Sequence, residues 1–413
     1  MKRPSVPLTG VTGARLPRWL LPSNWPVNGY QPALATLDFT PQGVRIVPDG
    51  DFQPAVSQDL AGALVMPPLV EPHVHLDKTF TVQRSPARRP GLLAAIEAMQ
   101  QDRAGWTEED IAVRASRGLQ WAAQAGTGLL RTHIDWFSTE PPPAWRVTGE
   151  MKHPLCEIER VALVPLPLFA RAEDADAIAR DVASSGKNTL LGGFIHSSNW
   201  DAQAMRHLFD AAERWQLDLD LHIDEELNQE AQGLRWLTRF LQQQKFAGHI
   251  TCSHSCALAL QPDAEAMLDV LARHRVTLVA LPITNLLLQD AQPGRTPRLR
   301  GITLLKEAQA RGIPLLLGSD NVQDAFCPTG SYDPLDTLFC GLVTAQLSHA
   351  FDEASALICQ RAALHADAAT LTNDLLIFPD GDALSWPLRQ RQRYRLINGS
   401  IFPLCSGDEH HGS

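Results

Sequence analysis

Residues 217–225 read LDLDLHIDE, a short alternation of leucines with polar residues that ends in His222, Asp224 and Glu225. A strand of this kind buries its leucines, and an ionisable side chain at its end is costly unless it is paired or coordinates something. Seven further runs of similar texture flank it: ALVMPPLV (63–70), TGLLRTHIDW (127–136), RVALVPLPLF (160–169), TLLGGFIH (189–196), HITCSHS (249–255), VTLVALPI (276–283) and IPLLLGSDN (313–321). Between them lie segments with apolar residues three and four apart, as in 201–216, 229–244 and 263–274, the spacing of amphipathic helices. Eight buried strands alternating with helices predict an α/β fold of the (β/α)8 TIM-barrel type over 62–370. A doubly wound open sheet is the competing architecture. The polar ends of the runs decide between them: His73 and His75, His133 and Asp135, His196, His222 and Glu225, His254 and Asp320. A barrel brings all its carboxyl strand ends to one mouth, whereas an open sheet spreads them along an edge.

The flanks differ. Residues 1–61 are rich in Pro and Gly, with short alternating stretches such as LATLDFTPQGVRIVPDG (34–50), and 371–403 returns to alternation with turn signals at Pro379-Asp-Gly and Asn398-Gly. The two are expected to form one small β-sandwich, followed by a disordered polar tail at 404–413.

Composition narrows the function. With 413 residues, 44% hydrophobic and 20% charged, the chain has the balance of a globular protein with a sizeable core. Lys and Arg total 36 against 46 acidic residues, a formal charge of −10, which argues against a phosphate-tracking surface, so no nucleic-acid partner is expected. No apolar run approaches the roughly 18 to 20 residues of a membrane span, and MKRPSVPLTG lacks the apolar stretch of a signal peptide. A soluble, cytoplasmic protein without a membrane partner is therefore expected. Seven cysteines with no CxxC pair fit reduced thiols better than a disulfide framework. A homo-oligomer is left open.

The histidines suggest chemistry. His73 and His75 lie two apart at a strand end, so period-two geometry puts both on one face; alone, the pair is equally well read as two hydrogen-bonded polar residues. Together with His222 and Asp320 from two other strands, they supply the three or four ligands of a mononuclear hydrolytic site that keeps a position for water. A bound divalent ion lowers the pKa of that water from about 15.7 toward 7. Glu225, three residues beyond His222, is placed to shuttle the proton, although Asp224, Glu225 and Glu226 also suit a helix N-terminus.

The stretches VMPPLVEPHVHLDKTFT (65–81), LLRTHIDW (129–136), LHIDEE (221–226), TCSHS (251–255) and LLLGSDNVQDAFCPTGSYDPL (315–335), in that order, resemble the amidohydrolase superfamily, and within it the cytosine deaminase-like branch that also holds N-isopropylammelide amidohydrolase. The resemblance implies a distorted barrel with a flanking sandwich and one divalent metal ion, Zn2+ or Fe2+. By position it implies His73, His75, His222 and Asp320 as ligands, Glu225 as proton shuttle, and His254 as the group that holds or polarises the attacking water. The third and fourth runs carry no lysine at their ends, which does not support the two-metal variety. The implied activity is hydrolytic removal of an exocyclic amine from a small cytosine-like or s-triazine-like heterocycle by metal-hydroxide attack, a hydrolase of non-peptide carbon–nitrogen bonds. Hydrolysis of a cyclic amide and a catalytically silent binding barrel are the alternatives.

Departures from the branch bear on the substrate. Cytosine deaminases carry an amide-reading glutamine after the third strand, where Leu166 stands here, and a second aspartate where Asn321 follows Asp320. Cytosine is accordingly expected to be a poor substrate. Lys78 can hold a ring carbonyl or sit on the surface, and His196 can reach the mouth or play a structural part. His133 and Asp135 are expected as a pair beneath the ligands, Trp136, Leu166 and Phe326 as apolar walls, and Cys252, Cys256 and Cys327 as packing residues.

Overall fold

The computed structural model describes every residue except 1–5, 42, 86–88, 367, 370, 391 and 405–413; the tail expected at 404–413 therefore lies, apart from Leu404, outside the described residues. Eight strands pair in parallel and in chain order: β1 Leu69–Val74, β2 Thr127–Asp135, β3 Glu157–Pro165, β4 Thr189–Ile195, β5 Leu219–Ile223, β6 Ile250–His254, β7 Thr277–Ala280 and β8 Leu315–Leu317. Val74, the last residue of β1, bridges in parallel to Asp320 just beyond β8, which closes the sheet into the expected barrel. Every residue of β1, β5, β6, β7 and β8 is buried. Helices cover such a sheet outside and side chains fill it inside, which is why the strands read as short apolar runs.

The connection after β1 is the longest and carries two helices, α1 Leu92–Arg103 and α2 Glu108–Ala125. α2 shows how these sequences set their own ends. Thr107 Oγ1 accepts from the Asp110 amide, Glu108, Glu109 and Asp110 occupy the positive first turn, and Gly126 closes the helix at φ 99°, a left-handed position that glycine takes without strain. Its buried stripe of Ile111, Ala115, Leu119 and Ala122 follows the helical repeat. α1 was not legible from apolar spacing, and it lies over the mouth of the barrel, with Ala95 and Met99 packed on Leu288 and Phe326.

One run divides. In ALVMPPLV, Leu64–Met66 pairs antiparallel with Asp374–Phe378 of the flanking domain, and only Leu69 onward belongs to the barrel. Pro67 and Pro68, which have no N–H to give to a ladder, separate the two sheets. The flanking domain stacks two four-stranded sheets, one from Gly10–Ala14, Ala35–Thr40, Gly43–Pro48 and Ser57–Asp59, the other from Leu64–Met66, Asp374–Phe378, Arg393–Ile397 and Ser400–Leu404. Val11, Leu37, Val65, Leu375, Ile377 and Leu396 fill the space between them, so the two chain ends meet in one sandwich core. No described helix is long and apolar enough to cross a membrane.

Candidate metal centre and active site

His73, His75, His222 and Asp320 are all buried, and one donor atom from each lies within 4.8 Å of the others. The Nε2 atom of His222 stands 3.0 Å from Nε2 of His73 and 3.3 Å from Nε2 of His75. Asp320 Oδ1 is 3.1 Å from His75 Nε2 and 3.5 Å from His73 Nε2. Neither carboxylate oxygen of Asp320 has a hydrogen-bond donor, and Nδ1 of His222 is likewise unpartnered. Burial, followed by crowding among the imidazoles and, for His75 and His222, by Lys78, holds all three imidazoles well below their ordinary pKa, so they are neutral and carry a free lone pair. Three lone pairs and an unpaired carboxylate aimed at one point fit a single divalent cation, and the nitrogen–oxygen set suits zinc or iron.

Left-handed backbone sets the directions of three side chains at the strand ends. The strand ends at Asp224, His254 and Asp320 take left-handed φ values of 52°, 68° and 61°. Aspartate and histidine tolerate that region better than branched residues, at a local cost of about 1 to 3 kcal/mol each. The acidic triplet after β5 is thereby divided among three tasks. Asp224 accepts from the amides of Gly233 and Leu234 at 3.0 and 2.9 Å, so it serves the helix N-terminus. Glu226 accepts from the Ser197 amide. Glu225 alone enters the mouth, where Oε1 lies 3.4 Å from His254 Nδ1. Burial first, and then the charge of Asp320, pushes its carboxyl well above the ordinary value, with Lys78 acting against them. His254 also meets Asn285 at 3.1 Å through Nδ1, and its Nε2 is buried without a hydrogen-bond partner. Burial lowers its pKa to about 4, against the pull of Asp320.

Beneath the cluster a polar scaffold orients the rings. His73 Nδ1 meets Ser253 Oγ at 2.8 Å, and His75 Nδ1 donates to the carbonyl of His133 at 3.2 Å. Such contacts fix the tautomer and leave Nε2 free to coordinate an ion. Asp220 sits behind them, 3.4 Å from Ser253 Oγ, 3.1 Å from His133 Nε2 and 2.7 Å from Arg131 Nη1. The expected pairing of His133 with Asp135 is not what forms. His133 stacks on His73 with ring centres 3.8 Å apart, while Asp135, two residues on and closer to the mouth, binds Lys78 Nζ at 2.9 Å. That carboxylate, together with Asp77, outweighs the burial that opposes the ammonium and raises the pKa of Lys78.

Above the cluster opens a cavity of 290 Å³, to which His75, His222, Glu225, His254, Asp320, Lys78, Asn321 and Phe326 contribute. Lys78 Nζ lies 5.1 Å from the centre of the Phe326 ring, and Asn321 Nδ2 donates to Asp324 at 2.6 Å. Three expectations need correcting. Leu166 is fully buried in the barrel's outer core, because the chain turns into a short 3-10 helix there; Leu163, Pro165 and Pro167 form that wall instead. Trp136 packs edge-on against Trp145 in the same core. His196 caps the turn at 197–199, where Nδ1 accepts from the Ser198 amide at 3.0 Å; Phe194, Ser198 and Asn199 reach the cavity in its place. Sequence reading missed Ile96, Met99, Gln100 and Arg103 of α1, and Phe137; the one available signal was the unusual length of the connection after β1. Cys252, Cys256 and Cys327 are buried, free thiols, as expected of packing residues.

Residues 165–365 match the amidohydrolase family. The chain is 32% identical over 358 residues to a pterin deaminase of Rhizobium rhizogenes strain K84, covering 80% of each chain. It is 26% identical over 285 residues to the N-isopropylammelide isopropyl amidohydrolase of Pseudomonas sp. strain ADP, covering 67% of each. Among solved structures, the 5-methylcytosine deaminase of Klebsiella pneumoniae superposes with a TM-score of 0.79 at 24% identity, over 95% of this chain and 97% of that one. The fold, the ligand cluster at the barrel mouth and the extent of the first likeness lead to one conclusion: this chain belongs to the amidohydrolase superfamily and is a hydrolase of carbon–nitrogen bonds other than peptide bonds.

Proposed function

We propose that the protein is a metal-dependent aminohydrolase that removes the exocyclic amine of a fused pyrimidine heterocycle of the pterin type. The observation that carries this reading is the position of Glu225, beside the four-residue candidate ligand cluster and within 3.4 Å of His254, in the lining of a 290 Å³ cavity that Leu163, Pro165, Phe194 and Phe326 also line. The pterin deaminase likeness at 32% identity supports the two-ring choice over a single ring. His73, His75, His222 and Asp320 would hold one divalent ion, Zn2+ or Fe2+, which would supply a water acidic enough to lose its proton near neutral pH.

The chain's own residues do the rest. Glu225, whose buried carboxyl holds a proton readily, receives that proton and delivers it to the departing nitrogen. His254 offers Nε2 to the attacking water. Phe326, Leu163 and Pro165 exclude bulk water and hold a flat ring between them, and Lys78, anchored by Asp135, faces a ring oxygen.

Ammonia release across pterin, cytosine, an aminotriazine and a cyclic ureide is the test. Pterin is expected to exceed cytosine by at least about tenfold in kcat/KM, roughly 1.4 kcal/mol of transition-state binding. A preference for cytosine or the triazine refutes the two-ring substrate, and ring opening of the ureide without ammonia release refutes deamination.

A further inference from the structure

α1 places in the cavity a guanidinium for which the chemistry above has no use. Arg103, the last residue of α1, lines the same cavity as Glu225 and Lys78. Its Cζ stands 3.0 Å from the centre of the Phe137 ring, a close cation–π contact. Its Nη1 is buried and has no hydrogen-bond partner. Asp135 holds Lys78, and Asp77 accepts from the Asp135 amide through Oδ2 while its Oδ1 is buried without a partner; neither carboxylate reaches Arg103 within salt-bridge distance. Of the buried arginines, Arg15, Arg114, Arg131 and Arg395 each have a carboxylate within hydrogen-bonding distance, and Arg160 donates to the carbonyls of Trp145 and Ser185.

A guanidinium stripped of water on one edge and given no acceptor there is a cost to the folded chain unless a ligand completes it. Burial lowers the pKa of Arg103, with Asp135 and Asp77 pulling the other way, yet guanidinium remains cationic at any physiological pH. Asp135 is paired with Lys78, and among the described residues no carboxylate forms a hydrogen bond or salt bridge with Arg103, although Asp135 and Asp77 both attract it at longer range. Gln100, one turn earlier on the same helix, lines the cavity too and adds an amide on that side.

We infer that Arg103 is a substrate-binding residue that pairs with a carboxylate carried by the heterocycle on the side away from the attacked carbon. A planar fork of N–H donors matches a planar carboxylate in two parallel hydrogen bonds, and the contact with Phe137 restrains the fork. The inference rests on the aminohydrolase reading for where the reacting ring sits, and it makes the preferred substrate an anion.

The test compares pterin with a pterin bearing a carboxylate on its pyrazine ring, using the metal-loaded enzyme, Arg103→Met and Arg103→Lys. The readout is the ratio of kcat/KM for the carboxylated compound to that for pterin. Arg103→Met is expected to lower this ratio at least about tenfold, mainly through KM, because a charge-assisted pair is lost. Arg103→Lys, which keeps the charge and loses the fork, is expected to fall between the two and serves alone if the methionine variant does not fold. An unchanged ratio in a folded variant overturns the role of Arg103 and leaves deamination standing. If the parent releases ammonia from neither compound, the deaminase reading fails for pterins. Calorimetric Kd values for the same two compounds then decide Arg103 separately: a preference for the carboxylate that Arg103→Met abolishes supports it, and equal binding refutes it.

Discussion

The backbone amide of Asp320 donates to the carbonyl of His73 at 2.9 Å, so the hydrogen bond that closes the barrel joins two of the candidate metal ligands. Closure and assembly of the site are thus one event. Once β8 docks beside β1, the left-handed turn at Asp320 has its carboxylate among the histidines.

Asp320→Asn separates these two roles. Asparagine tolerates the same left-handed backbone and keeps the amide bond to His73 while it removes the anionic ligand. The variant is expected to fold with a Tm within a few degrees of the metal-free parent. Its metal content should fall from about one equivalent per chain to about a tenth of that after dialysis, since one lost ligand weakens the site steeply. Elemental analysis checks it, and full retention of the ion removes Asp320 from the ligand set.

Glu225→Gln keeps the volume and loses the titrating group. Metal content near the parental value with turnover reduced by at least about 10²-fold is expected, the usual contribution of a positioned acid–base group. Near-parental kcat in single-turnover measurements excludes Glu225 as the proton carrier.

Ser253→Ala leaves His73 Nδ1 without its 2.8 Å partner. Loss of such an orienting contact typically weakens metal binding by about 10- to 100-fold. Competition with a chelator of known affinity measures it, and an unaltered Kd shows that stacking on His133 orients the ring by itself.

Arg131 is buried between Glu159 and Asp220, 2.8 and 2.7 Å away. Arg131→Met removes the shared cation of two buried carboxylates, leaving them only histidine neighbours, and is expected to destabilise the fold by about 3 to 5 kcal/mol. In the parent, burial acts to raise the Glu159 pKa, but Arg131 and His365 prevail and hold it at about 2 against an ordinary 4.5. A folded value below the unfolded one means the pair stabilises fully above about pH 4.5 and loses that contribution as pH falls toward 2. The gap in urea midpoint between parent and variant should therefore be wide at pH 7 and narrower at pH 3. A gap that is constant across this range shows that the loss is one of packing.

What the sequence determined was whatever depends on local period and residue type. Runs such as LLL at 315–317 and LDLHI at 219–223 are short, apolar and bounded by polar residues, which suffices for a buried strand and for the inference that His222 and Asp320 share a mouth. The tertiary structure alone decided which way a side chain faces once a strand ends, because a single turn moves a residue from mouth to core. Leu166 turns into the core at a 3-10 helix, His196 turns back to cap its own loop, and Asp224 is taken by a helix while its neighbour Glu225 is not. α1 escaped notice for a related reason: a helix laid over a cavity has apolar residues on more than one side, Leu93 exposed and Met99 buried, so no single stripe marks it. Arg103 could not be told from a surface arginine by its neighbours in the chain. Its meaning lies in Phe137 beneath it and in an unpaired Nη1, relations that exist only when β2 and α1 are brought together in space.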